Sequence, residues 1–310
     1  MSLILLLSAV LLAISSVLVF FRLGLASIIV FLPLAFFPVF FAEYAPSLSI
    51  FIVPLIFGTT GGYCLKKSKG LDFYLTVSAI FFAVLFTGNY YLIKKIHNYD
   101  MVSVSGQILL NKIEESEPVL EKLFQEYNVP EANRKQLREN FNQNFEILKD
   151  RKWIQFARDT LPLATFIYSL VIGALSFFFL KKFFLKQNEK RLKPLEYYRL
   201  NDYLIFLFMG SWAIFLVLDK SFSPLINIVS LNIAFMISVL YAIQALGIAK
   251  FFLIRKGLSP YLLSLLILLL ILLGIPAIAF VSILLTGIGT LDLWADFRKL
   301  NPDKKRNIKE

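Results

Sequence analysis

Apolar residues run through this chain in long blocks separated by short polar or basic clusters. A helix that crosses the hydrocarbon core needs about 20 consecutive, mostly apolar residues. The runs LILLLSAVLLAISSVLVF and YLLSLLILLLILLGIPAIAFVSILL meet that length without a single charge. The same pattern predicts spans near 3–21, 25–42, 48–65, 73–93, 160–180, 203–218 and 225–250. The block 259–290 is different. At about 1.5 Å per residue it would be well over 40 Å long, against a core of about 30 Å. Gly274-Ile275-Pro276 interrupts it near the middle, where proline removes a backbone donor and crowds the preceding turn. A tight turn there makes two short helices and brings the expected total to about nine crossings.

One stretch breaks the pattern. NKIEESEPVLEKLFQEYNVPEANRKQLRENF, from Asn111 to Phe141, is polar, yet its apolar residues keep helical spacing. Leu109, Ile113, Leu120, Phe124 and Tyr127 share one face, and Leu137, Phe141, Phe145 and Leu148 share another. Asn128-Val129-Pro130-Glu131 reads as a stop and restart, since Asn tolerates a left-handed cap and Pro suits a first helical turn. Two amphipathic helices are expected, resting on their own bundle because an uncovered apolar stripe is costly in water.

Charge orients the bundle. Lys66-Lys67-Ser68-Lys69, the cluster from Lys181 to Arg199, and Lys250 with Arg255 and Lys256 all fall on one side of the expected spans. The positive-inside rule makes that side cytoplasmic. The tail, with Arg298, Lys299, Lys304, Lys305, Arg306 and Lys309, should join it, and a turn at Gly274–Pro276 allows that. Residues 98–158 then lie outside the cell. Between Asn98 and Ala157 there are ten acidic and eight basic residues, a net of −2, in a chain whose total is +11. The rest therefore carries +13. Basic clusters beside apolar runs meet anionic lipid headgroups, so the lipid bilayer is the expected partner and nucleic acid is not. The first run lacks a basic leader, and Arg22 is followed by more apolar sequence, so it reads as a span rather than a cleaved signal.

The fold class is thus all-α, a polytopic transmembrane bundle of eight to nine spans with an extracytoplasmic helical hairpin insert. The divisions are 1–97, N-terminal membrane helices; 98–158, the hairpin; 159–291, C-terminal membrane helices; and 292–310, a basic cytoplasmic tail. The location is the cell membrane. Of 310 residues 58% are apolar and 17% charged, with a mean hydropathy of +0.71, which agrees with that class.

Candidate chemistry is sparse. One Cys64 excludes an internal disulfide, and one His97 leaves no cluster of the commonest metal ligand. Polar groups inside a span are expensive and usually face the bundle interior. The candidates for ligand contact are Asn89, Asn232, Tyr241 and Gln244; Asn227 is a further intramembrane amide. Tyr241, Gln244 and Ala245 share a face by their spacing. The plainer reading makes these groups interhelical hydrogen bonds. Pro33, Pro38 and Pro54 suggest kinked helices, and Gly58, Gly61 and Gly62 permit close helix approach. Asp292 and Asp296 are four apart, yet two carboxylates make a weak metal site, and LDLWADFRKL reads better as an interfacial anchor built on Leu291, Trp294 and Phe297. No catalytic residues, metal or cofactor are expected, and the chain does not read as an enzyme.

Several stretches together carry a resemblance: FLPLAFFP, IFGTTGGY, RDTLPLA after the acidic insert, PLEYYRLNDYLIFLF, YAIQALGIAKFFLIRKGLSP and GIGTLDLWADFRK. They resemble the YybS-like family of predicted bacterial membrane proteins, a domain of unknown function. That family is similar, more loosely, to the substrate-binding membrane subunits of energy-coupling-factor vitamin transporters. The resemblance implies a pocket for a small hydrophilic or amphipathic ligand among the spans, and so a binding or transport-related subunit. The alternative is a non-enzymatic envelope scaffold whose exterior hairpin, 103–152, docks a cell-wall or division protein.

Overall fold

The computed structural model describes residues 3–24, 26–29, 32–33, 52–67, 69–127, 130–131, 133–135, 137, 139, 151–184, 195–218, 223–259 and 261–298. The expected span near 25–42 and the hairpin residues Phe141, Phe145 and Leu148 lie almost wholly outside them. Among the described residues all regular structure is helical. Ten α-helices carry it: α1 (Leu3–Leu23), α2 (Ile52–Lys67), α3 (Leu71–His97), α4 (Met101–Glu126), α5 (Arg151–Asp159), α6 (Leu161–Phe179), α7 (Leu204–Val217), α8 (Pro224–Arg255), α9 (Tyr261–Leu273) and α10 (Ile275–Ala295).

Among the described residues five helices are long and apolar enough to cross a membrane: α1, α3, α6, α8 and α10. Of the other expected spans, the one near 25–42 lies almost wholly outside the described residues, and the remaining apolar helices α2, α7 and α9 are shorter, at 16, 14 and 13 residues. At 14 and 13 residues, α7 and α9 extend about 20 Å, less than the roughly 30 Å core.

Small residues set the closest approaches. A side chain on Gly61 would meet Val17 at 2.5 Å, and one on Gly62 would strike the Phe20 ring, so Val17 and Phe20 of α1 seat directly on the α2 backbone. Gly173 on α6 similarly admits Leu75 of α3 at 2.9 Å. Phe57, Tyr74, Phe82, Phe166 and Phe177 fill the shared core of α2, α3 and α6. On the far flank, Phe208 and Trp212 of α7 set their rings edge-on to Tyr241 and Phe235 of α8.

The interruption expected at 274–276 is present. Gly274 takes φ 85°, ψ −176°, a conformation open to glycine, and Pro276 sits in the first turn of α10. Thr286 of α10 bonds the Ser238 carbonyl, and Gln244 bonds the Gly289 carbonyl, so residue numbers rise together along α8 and α10. The two run parallel, with α9 as the return between them. The packing thereby gathers the ends of α2, α6, α8 and α10 at one pole with Lys67, Lys182, Arg255 and Arg298. The start of α4 and the end of α5 lie at the other.

The second half of the expected hairpin lies largely outside the described residues. The first helix of the insert, α4, is one unbroken element that runs through Pro118 and ends at Glu126, two residues before the expected stop. Phe124 is buried as expected, whereas Tyr127 and Leu137 are exposed. A separate helix, α5, precedes the membrane run, and its Trp153 and Ile154 cover Gly106 of α4.

Candidate functional site

Two polar clusters and an apolar cleft stand out. The first cluster is centred on Asp100, in the short link between α3 and α4. The Tyr90 hydroxyl donates to Asp100 Oδ1 at 2.9 Å, and the Val102 and Ser103 amides donate to the same oxygen, capping α4. Arg158 Nη2 donates to Asp100 Oδ2 at 2.5 Å, and Lys94 Nζ lies 3.2 Å from it. Partial burial pushes the Asp100 carboxyl up, but these hydrogen bonds and the Arg158 charge hold it down at about 2. Three helices, α3, α4 and α5, are joined at this one carboxylate.

The second cluster lies at the basic pole. Arg298 Nη2 donates to Asp292 Oδ2 at 2.6 Å, and Nη1 donates to the carbonyls of Glu196 and Tyr198 at 3.0 and 2.8 Å. Gln244 Nε2 reaches the same Asp292 oxygen at 3.2 Å and the Gly289 carbonyl at 3.1 Å, while its Oε1 accepts from the Leu200 amide. Lys250 pairs with Glu196 at 2.8 Å, and Arg199 approaches Asp296 at 3.8 Å. Close packing holds it: a side chain on Gly289 would strike the Tyr241 carbonyl, and one on Gly247 would come within 2.5 Å of the Leu195 carbonyl.

Between the clusters runs a cleft of about 630 Å³, walled by α3, α6, α7 and α8. Its lining is almost all apolar, including Ile80, Val84, Phe166, Leu207, Ile233 and Met236. Thr87, Tyr91, Asp159 and Asn232 supply polar groups toward one end, and Thr76 supplies one at the other. From Thr76 to Tyr91 along α3, and from Leu225 to Leu240 along α8, the wall extends about 22 Å. Its volume falls within the range of about 300–1,000 Å³ usual for small-molecule sites.

The four expected contact residues do not converge. Asn232 lines the cleft, but its Nδ2 donates to the Asp159 and Ile228 carbonyls at 2.7 and 2.8 Å, and its Oδ1 accepts from the Leu163 amide. It therefore caps α6 from a neighbouring helix. Gln244 lies 12 residues away, in the second cluster. Tyr241 is buried against Phe208, and Asn89 donates to the Leu85 carbonyl of its own helix. Cys64 is buried, while Arg22 and His97 are exposed near helix ends. Among the described residues no three His, Cys, Asp or Glu side chains are placed to hold a metal. Asp292 and Asp296 each face an arginine instead. Leu291, Trp294 and Phe297 are exposed, as an outward apolar face requires.

Sequence reasoning missed the Asp100 cluster and the role of Arg298. A cue for the first was available, since Asp100 directly precedes an apolar helical pattern, where an acidic cap is favoured. For the second there was none, because its partners lie about 100 residues apart in the chain.

Apolar helices of membrane-crossing length, joined by one part-buried and one buried polar cluster, define an integral membrane protein of helical class. Within that class, a family model described as a predicted membrane protein, DUF2232, matches residues 1–293, and the chain belongs to that family. No curated protein and no solved structure matches the chain.

Proposed function

We propose that this protein is a non-enzymatic, multi-pass membrane component that binds an amphipathic small molecule in the cleft between α3, α6, α7 and α8. The observation that carries the reading is the cleft itself, long, apolar and polar mainly toward one end. A hydrophilic ligand fits less well, because the amides Asn232 and Gln244 already spend their hydrogen bonds on backbone and Asp292. An apolar chain gains about 25 cal/mol per Å² of surface it buries. The basic pole faces the cytoplasm, and α4 with the rest of 98–158 lies outside, by the charge rule.

The test replaces Met236, a cleft-lining residue, with tryptophan. Protein purified in a neutral detergent should carry a co-purifying amphiphile in native mass spectra. Met236→Trp should lose at least about nine-tenths of it, roughly 1.4 kcal/mol, with its melting temperature little changed. Equal retention by both proteins overturns the reading. A scaffold role for the insert has weaker support, namely Ile108 exposed on α4 and Tyr127 exposed just after it. It takes precedence if deleting 103–152, and not filling the cleft, reproduces the phenotype of losing the whole gene.

A further inference from the structure

The cleft is not symmetric in its chemistry, and the asymmetry points to a headgroup. At the α3–α5 pole it is lined by Tyr91, Thr87 and Asp159. These are drawn to one end because Tyr90 and Arg158, their chain neighbours, share Asp100 as a partner. Two basic groups of that pole, Arg158 and Lys94, are both committed to Asp100. Asp159 has no such ion pair among the described residues, and its carbonyl, not its carboxylate, accepts from Asn232. Thr87 Oγ1 is buried and makes no hydrogen bond among the described residues. Tyr91, with about half its surface exposed, offers a ring beside them.

A carboxylate and an aromatic face at the mouth of an apolar groove are the elements that recognise an ammonium group. The carboxylate supplies the charge, and the ring supplies a face that tolerates the methylenes or methyls around nitrogen. An anionic headgroup at the same place would meet Asp159 at close range and be repelled. The apolar wall beyond, about 22 Å long, exceeds half of the roughly 30 Å core and so accommodates one extended chain of a single leaflet. We infer that the occupant of the cleft is a cationic amphiphile, its ammonium head between Tyr91 and Asp159 and its apolar chain laid along α3 and α8. This deepens the proposed function and rests on it.

Doxyl-labelled octadecylamine and doxyl-labelled stearic acid, in neutral maltoside micelles, separate the two ideas. The two probes share a chain and differ in head charge. The immobilised fraction in electron paramagnetic resonance spectra reports binding. The wild-type protein should hold the amine about tenfold more tightly than the acid. Asp159→Asn, which preserves the backbone bond to Asn232, should bring the ratio below about twofold, and Asp159→Lys should reverse it. Met236→Trp should release both probes. Immobilisation of both to the same degree in the wild type, or a ratio unchanged in Asp159→Asn, overturns the headgroup assignment and leaves the cleft reading standing. Immobilisation of neither removes the cleft reading, and this inference with it.

Discussion

Arg298 is fully buried, and Asp292 is 3% exposed. Desolvating two such charges costs several kcal/mol each, so their attraction alone does not justify the arrangement. What offsets the cost is the number of partners. The guanidinium also serves two backbone carbonyls, and the carboxylate also receives the Phe297 amide and Gln244. Removing one member leaves the other charged and unpaired in a dry site. Arg298→Met should therefore lower unfolding free energy by about 3–5 kcal/mol, read as an earlier transition in mixed-micelle titration. Changing both members, as Asp292→Leu with Arg298→Met, should cost less than Arg298→Met alone, since apolar replacement of a whole buried pair is often near neutral. A double variant weaker than the single would mean that the cluster acts through Gln244 rather than through the ion pair.

At the scale of elements, the decisive junction is the one carboxylate that joins α3, α4 and α5. Its pKa is lowered from 3.8 to about 2 in the folded protein. A depressed carboxyl pKa contributes stability that is complete above the unfolded value and is lost as pH falls through the folded one. The docking of α4 and α5 should therefore hold down to about pH 4 and loosen between 4 and 2. Trp153, which covers Gly106, is the reporter once Trp212 and Trp294 are changed to Phe. Its emission should shift over that window, and Asp100→Asn should show the shifted emission already at neutral pH. An identical titration in Asp100→Asn would assign the transition to another group. The elements themselves were largely legible beforehand, because a run of apolar residues has few alternatives to a helix in lipid. Gly274-Ile275-Pro276 was legible too, as a local break with a local cause. The Asp292–Arg298 pair was not, since six residues is no helical spacing. It forms because Asp296 adopts φ 43°, ends α10 and turns the chain back. The cleft was equally invisible, for it is made by four helices and by no motif in any one of them.

At the scale of the whole molecule, packing and charge bear on the same question. The described contacts bring Lys67, Lys182, Arg199, Lys250, Arg255 and Arg298 to a single pole, although they are spread over more than 200 residues of chain. Each Lys or Arg beside an anionic inner leaflet gains about 1 kcal/mol, so inverting the molecule would forfeit several such contributions. The parallel course of α8 and α10 requires that α9 run the other way, which returns the end of α10 to the basic pole. These relations make the orientation testable with single cysteines in a Cys64→Ala background. A cysteine at Gln125, exposed near the end of α4, should react with an impermeant maleimide in intact cells. One at Ser259, between α8 and α9, and one at Asn307 in the tail should react only after the cells are opened. Labelling at 307 from outside, with 259 still protected, would mean that α9 dips into the membrane without crossing. Labelling at 259 from outside would place the basic pole on the exterior and put the headgroup end of the cleft in the inner leaflet.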